Sequence, residues 1–522
     1  MDFKFIVDTQ GISSDNDFDQ EAIYTKKKVF TPTEEQELAK DMVSAHQVTK
    51  INAVAGSGKS SSLAYIARAN PVNSLMLVFN KSMQVEAQDK FPDHVDCLTT
   101  HSLAYRHIGN QYQHKLSRPV GRYKNCAVTG TEVAMYFKLP DMDIDENSKV
   151  RNTFIGMMVK ETVAKYEQSS DLVIESKHFP FKHHKDLEAR FGKKVRDTVR
   201  SLVIRYAEDL WEERKDKFSP VLMTHDGYLK LYALSNPDLS KYEIMYLDEF
   251  QDTSDVVIDM VLKQKDTSKL VMVGDSRQSI YQWRGAVNAL KKVNCPQSEL
   301  SKSFRYGEEI AKVARAVLRG KVDVFGLESI PSKVGEDVVD YNKPYTVLFR
   351  TNMQLILYAL DLIIKGEKVN INIDLKDFSN MLKSCQALYD GDMRQVKHEE
   401  IVPYETWEVL LYEAKNDGNL SRLSKIVEAG DGEETLQVLH RYKNDDTAKI
   451  SLSTIHRAKG LEFDQVVLGE TPSNYNNKGN FVGLSEEEEN LLYVAVTRAV
   501  HALQPNKTVI ECLDLYGANQ RC

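Results

Sequence analysis

The chain has few cysteines and does not group them. Cys97, Cys126, Cys295, Cys385, Cys512 and Cys522 are spread over 522 residues without a CxxC pair. That spacing argues against a zinc site and supplies no disulfide framework, so a reducing interior is the simplest compartment. Long apolar runs are missing as well. The longest, near Ile356 to Ile364, is broken by Asp361, and the N-terminal MDFKFIVDTQ lacks the basic-then-apolar order of a secretory leader. Neither a membrane span nor a signal peptide is expected. Positive charge is not in excess: 68 Lys and Arg face 76 Asp and Glu, a net charge of −8. No global basic field marks a nucleic-acid binder, and any such partner must bind in a local groove.

What is present is a globular composition, 42% hydrophobic and 28% charged, in a chain long enough for about three or four domains. Two zones alternate short apolar runs with helical periodicity, the pattern of α/β domains. The first has a strand around Val48 to Val54, LMLVF at 75 to 79, IMYL at 244 to 247 and LVMVG at 270 to 274. The second has VLF at 347 to 349, a helix from about Gln354 to Lys365, ISLST at 450 to 454 and QVVLG at 465 to 469. Between the strands of each zone lies a polar, helical stretch too long for a loop, which reads as an insertion. EEEE at 486 to 489 is expected to be a solvated helix start.

AVAGSGKS (53 to 60) follows an apolar strand and precedes the helix-compatible SSLAYIARA, the context a phosphate-binding loop requires. The strict pattern has Gly where Ala53 stands. Ala55, Gly56, Ser57, Gly58, Lys59, Ser60 and Ser61 are the candidate nucleotide-binding set. The glycines admit backbone N–H groups to phosphate oxygens, Lys59 reaches the β- and γ-phosphates, and the Ser60 hydroxyl is a candidate Mg²⁺ ligand. YEIMYLDEFQD (242 to 252) supplies an acidic pair at a strand end: Asp248 to hold Mg²⁺ and Glu249 to polarise the attacking water.

With DEFQD and VGDSRQSIYQWRGA (273 to 286), the chain resembles a superfamily 1 DNA helicase of the UvrD/Rep type. FTPTEEQ (30 to 36), LVFNKSM (77 to 83), TTHSLAY (99 to 105), LSKSFRY (300 to 306), STIHRAKGLEFDQVVLG (453 to 469) and ENLLYVAVTRA (489 to 499) resemble the family's further motifs in order. FNKS, THSLAYRHIG and MTHDGYLKLYALS (223 to 235) are most similar to the helicase part of the F-box-bearing branch, and an F-box is not expected in these residues. The resemblance implies an α/β fold of two RecA-like P-loop motor domains, mostly parallel sheets, each with a mainly helical insertion. The expected boundaries are 1–105 with 216–295 for the first motor domain, 106–215 for its insertion, 296–374 with 448–522 for the second, and 375–447 for a shorter insertion.

By motif position, the resemblance implies that Gln36 bonds adenine, Phe304 stacks on it in place of the usual Tyr, and Gln278 senses the γ-phosphate. Arg305 and Arg498 are the expected arginine fingers, and Gly460 and Glu462 face phosphate and ribose. A motor that tracks one strand needs flat surfaces for bases and donors for phosphates. Phe79, Tyr281 and Trp283 are the candidate platforms. Asn80, Thr100, His101, Arg284 and Arg350 are candidate contacts, and His456 couples the two sites. The implied activity is ATP- and Mg²⁺-dependent translocation on single-stranded DNA, 3′-to-5′ at about one nucleotide per cycle, and unwinding at single-strand/duplex junctions. The setting is DNA replication, recombination or repair.

Expected partners include single-strand-binding or recombinase proteins. The motor is expected to act as a monomer inside the cell, in a bacterial or virus-infected cytoplasm or a eukaryotic nucleus. Two other readings remain open: a nucleotide-regulated switch without turnover, and an RNA helicase. The stretch 176–197 carries seven Lys or Arg and three His; it reads either as a duplex contact or as a solvated helix, and His183 and His184 lack metal-ligand spacing.

Overall fold

The computed structural model describes residues 31–517 apart from 118–128, 145–147, 281–288, 399, 416, 444, 446, 472–473 and 476–480. Tyr281, Trp283 and Arg284 lie outside the described residues. Two six-stranded sheets form the frame. The first contains β1 (Val48–Ala53), β2 (Ser74–Val78), β3 (Val95–Thr99), β4 (Ile244–Leu247), β5 (Lys269–Gly274) and β6 (Gln297–Leu300). Their spatial order is β3-β2-β4-β5-β1-β6, and every pairing is parallel.

The short apolar runs become strands because both faces of the sheet are covered. Side chains alternate across the pleat, so Leu75, Leu77, Met245, Leu247, Leu270 and Met272 join one core. Their neighbours Met76, Val78, Ile244, Tyr246, Val271 and Val273 join the core on the opposite face, with Leu63 and Ile66 of the helix Lys59–Ala69. β6 corrects an expected boundary: it pairs with β1, so the first sheet extends beyond residue 295. Its sequence QSEL buries only alternate positions, a pattern too short and polar to read as a sheet strand.

The second sheet contains β7 (Lys333–Val334), β8 (Tyr345–Phe349), β9 (Val369–Asn372), β10 (Ile450–Thr454), β11 (Phe463–Leu468) and β12 (Ala499–Gln504). Their order is β9-β10-β8-β11-β12-β7, again all parallel. Between β3 and β4 lie the helices Asn152–Gln168, Phe181–Lys215 and His225–Leu234, and between β9 and β10 the helices Leu375–Tyr389, Trp407–Ala414, Gly418–Glu428 and Gly432–Arg441. The two helical segments meet: Arg151 donates to the carbonyls of Val402 (2.6 Å) and Tyr404 (2.7 Å). The stretch 176–197 enters the helix Phe181–Lys215, whose geometry breaks at Gly192. His183 is buried there and pairs with Glu161 at 3.0 Å.

Candidate nucleotide site and strand-facing surface

Parallel strands put all their C-terminal ends on one edge, where ligands of open α/β sheets bind. β4, β5 and β1 are neighbours, so Asp248 after β4, Asp275 after β5 and the loop after β1 converge. Gly56 and Gly58 both have φ +77°, a left-handed conformation open to glycine at little cost. Gly56 is also hemmed in: a Cβ there would stand 2.5 Å from Ser303 Oγ and 2.6 Å from Arg305 Cβ. Ser57 Oγ is buried and has no hydrogen-bond partner among the described residues. A buried, unsatisfied hydroxyl inside a glycine loop at a helix N-terminus fits a phosphate ligand. Lys59, Ser60 and Ser61 form the first turn of that helix. The Ala55 amide, by contrast, donates to the Tyr493 hydroxyl at 3.0 Å and so does not face a phosphate.

Ser60 Oγ donates to Asp248 Oδ2 at 3.0 Å, which brings the two candidate Mg²⁺ ligands together. Glu249 adopts φ +48°, a turn closed by its own amide donating to Asp248 Oδ1 at 2.9 Å. Burial and the neighbouring Glu249 charge push the Asp248 carboxyl up to about 6. Burial also disfavours ionised Glu249, but the Lys59 and Lys459 charges outweigh it and hold this carboxyl below its ordinary range. Gln251 Nε2 donates to Glu249 Oε2, and Gln251 Oε1 accepts the Asp275 amide at 3.0 Å. Gln278 Nε2 donates to Asp275 Oδ2 at 2.8 Å.

Phe304 is 42% exposed, and its ring lies near the Cα of Gly58, as does the Gln36 amide. The Phe304 amide donates to the Gly56 carbonyl at 2.8 Å. Gln36 is buried as part of a capping box with Thr33, and its Nε2 donates to Ser62 Oγ at 2.9 Å. One N–H and one carbonyl lone pair remain for a ligand.

From the second sheet come Arg305's partners and Arg498. Arg305 Nε donates to Glu462 at 2.9 Å, and its Nη1 to the Thr497 carbonyl at 3.3 Å. Arg498, 1% exposed, donates to the carbonyls of Val494 and Leu461 and to Thr497 Oγ1. Burial, then the Arg305 charge, push Arg498 down to about 9. Gly460 lies in the turn before β11, with open space on its side-chain face.

Sequence reasoning missed the residues that join the sheets. Lys459 pairs with Asp252 and donates to the Gln278 carbonyl at 2.6 Å, and Tyr493 reaches both Ala55 and Asp275. Both stand inside quoted motifs, but their partners are distant in sequence.

On the side where strand contacts are expected, Phe79 is 47% exposed just beyond β2. The Asn80 side chain accepts the Met83 amide as a helix N-cap. Thr100 and His101 open the helix after β3, and His101 Nε2 pairs with Asp226 Oδ1 at 3.0 Å. Gln168 also donates to Asp226. A cavity of about 240 Å³ is lined by Phe79, Thr100, His101 and Asp226 at one side and by Asp248, Glu249 and Asp252 at the other. It brings expected strand contacts and the acid pair to one space. Arg350, after β8, pairs with Glu488 at 3.1 Å. His456 follows β10, the neighbour of β8, which places both residues on the C-terminal edge of the second sheet.

Two all-parallel sheets with a phosphate loop and acid pair on one edge define a P-loop protein of RecA-like build. The model of the UvrD/REP helicase N-terminal domain matches residues 33–292, and that of the UvrD-like helicase C-terminal domain matches residues 449–504. Together they cover more than half of the chain, which belongs to the UvrD/Rep helicase family. It is 28% identical to F-box DNA helicase 1 of Gallus gallus over 93% of this chain and 50% of that protein. It is 27% identical to F-box DNA helicase protein 1 of Schizosaccharomyces pombe over 92% of this chain and 58% of that protein. Identity to the ATP-dependent DNA helicase PcrA of Leuconostoc citreum is 26% over 42% of this chain and 28% of that protein. The chain spans about half the length of the F-box relatives it matches.

Proposed function

We propose that the chain is an ATP-driven motor on single-stranded DNA and a 3′-to-5′ DNA helicase. The observation that carries this is the convergence on one sheet edge of the phosphate loop, the Ser60–Asp248 pair and Gln251-held Glu249, with Arg305 and Arg498 nearby. Residues 31–300 hold the first motor sheet with its helical insertion, and the later residues the second. The names of the relatives, DNA helicases, favour DNA over RNA as the polymer.

In this reading, Gln36 and Phe304 hold the adenine, while the loop amides, Ser57 Oγ and Lys59 hold the phosphates. Ser60 and Asp248 would hold Mg²⁺, which would supply charge stabilisation for the transferring phosphoryl group. Glu249 stays ionised under the Lys59 and Lys459 charges and accepts the proton of the attacking water, with Gln251 fixing its carboxylate. Arg305 and Arg498 must exchange contacts within their own lobe for the phosphate. That exchange makes hydrolysis depend on how the lobes close. Alternating closure, with Phe79, Thr100, His101, Arg350 and His456 gripping the strand, moves the protein along it.

The test is steady-state ATPase with no polymer, single-stranded DNA, duplex DNA and single-stranded RNA, beside Glu249→Gln. Stimulation by single-stranded DNA that the variant loses is the expected result, followed by unwinding of 3′-tailed rather than 5′-tailed duplexes. ATP binding without polymer-stimulated turnover would replace the motor with a nucleotide-regulated switch.

A further inference from the structure

Tyr493 lies on the helix Glu486–Val496 of the second sheet, yet its hydroxyl is engaged entirely in the first. The ring is 0% exposed and belongs to the core that also holds Val54, Tyr306 and Leu492. The hydroxyl accepts the Ala55 amide of the phosphate loop at 3.0 Å and donates to Asp275 Oδ2 at 3.0 Å. A phenol has a single proton to give, and burial beside Asp275 pushes its pKa well above the ordinary value, so the direction of that bond is fixed. Asp275 is itself 2% exposed and branches the connection. Its Oδ2 also accepts Gln278 Nε2 at 2.8 Å, and its amide donates to Gln251 Oε1 at 3.0 Å. Gln251 in turn donates to Glu249.

Ala55, Tyr493, Asp275, Gln278 and Gln251 are all buried, so a bond removed among them leaves a polar atom short of a partner. Ring and hydroxyl have separable roles: the ring fills the inter-sheet core, and the hydroxyl fixes where Asp275 and the Ala55 amide lie relative to the second sheet.

We infer that Tyr493 is a positioning residue for ATP hydrolysis: its hydroxyl registers the second lobe against the phosphate loop and, through Asp275, orients Gln278 and the Gln251–Glu249 pair. This rests on reading Glu249 and Gln278 as the hydrolytic groups. Glu249 is held in its productive orientation only while the second lobe presents Tyr493, so lobe closure is sensed by the acid pair as well as by the arginines. A connected set of bonds is not by itself evidence of coupling, and the test measures the coupling directly.

Tyr493→Phe keeps the ring and removes the hydroxyl. In the full chain, kcat for DNA-stimulated ATP hydrolysis should fall about ten-fold, the loss expected for a hydrogen bond to a charged group. KM and the affinity for a fluorescent ADP analogue should stay within about two-fold, since uniform nucleotide binding is untouched. Hydrogen exchange of the peptide spanning residues 53–60 should speed up, because the Ala55 amide has lost its acceptor; this readout does not depend on turnover. Asp275→Asn should lower kcat too, and the double variant should be no worse than the more damaging single one, since both break the same connection.

Independent losses that multiply in the double variant would overturn the inference. So would a Tyr493→Phe enzyme with unchanged kcat, or one whose nucleotide affinity falls in step with kcat. A wild-type chain without polymer-stimulated ATPase sinks the motor reading and this inference with it, whereas an active wild type with an indifferent Tyr493→Phe sinks the inference alone.

Discussion

Replacing Lys459 by Met tests how the two lobes are held. The ammonium group, 9% exposed, meets the Asp252 carboxylate, 2% exposed, and donates to the Gln278 carbonyl at 2.6 Å. Asp252 Oδ1 has no hydrogen-bond partner among the described residues, so Lys459 is the main compensation for a deeply buried charge. Burial already pushes Asp252 up to about 6 despite the lysine. Its folded pKa therefore lies above the unfolded value. The folded state binds more protons through that interval, and stability falls as pH rises through about 6.

Removing one partner of a buried pair costs about 3–5 kcal/mol when the other must stay charged. Without Lys459 the Asp252 pKa rises further, and each pH unit below the new value returns about 1.4 kcal/mol by protonation. The variant should thus lose about 4 kcal/mol at pH 8 and about half of that at pH 5.5. Urea unfolding followed by far-ultraviolet circular dichroism at both pH values reads this as a midpoint deficit that widens with pH. The midpoint is the quantity to compare, because a chain of several domains need not unfold in one step. Lys459→Met/Asp252→Asn should recover most of the deficit at pH 8. A deficit independent of pH, or one the second substitution fails to relieve, would refute the argument from a buried charge.

Gly56→Ala places a Cβ 2.5 Å from Ser303 Oγ at φ +77°; the left-handed backbone alone costs about 1–2 kcal/mol. Binding of a fluorescent ATP analogue should weaken at least about ten-fold. Arg214→Met strands Glu167, its 2.5 Å partner in the helical segment between β3 and β4; the thermal midpoint should fall by an amount equivalent to about 3–5 kcal/mol with nucleotide affinity unchanged. Asp226→Asn removes the carboxylate that His101 meets at 3.0 Å. Fluorescence anisotropy should show single-stranded DNA affinity reduced several-fold, by about 1 kcal/mol, while ATP affinity holds.

The fold was legible where the physics is local. β2, β4 and β5 are continuous apolar runs because helices cover both faces of the sheet, and such runs stand out from any flanking polar sequence. β6 did not stand out. An edge strand covered less completely needs few apolar residues, and QSEL carries its register only through pairing with β1, nearly 250 residues away. The helix Phe181–Lys215 shows a similar limit. Its basic content reads as one exposed surface, either a duplex contact or a solvated face, yet Arg196 is buried and paired with Glu188 and Asp197, and His183 is turned inward to Glu161.

The candidate site divides along the same line. The phosphate loop and the DEFQD segment are legible because a glycine loop before a helix and acids after a strand do their work through neighbours in sequence. The contacts joining the sheets have no such trace: Lys459 lies 207 residues from Asp252 and Tyr493 438 from Ala55. A lysine beside a glycine and a tyrosine in an apolar helix each have an ordinary local explanation, solvation for one and core packing for the other. Only the placement of one parallel sheet against the other makes the first a buried counter-ion and the second a hydrogen-bond bridge. Groups that join two sheets have to find partners far away in sequence, so in this fold the residues hardest to read from sequence are the ones that tie the two halves together.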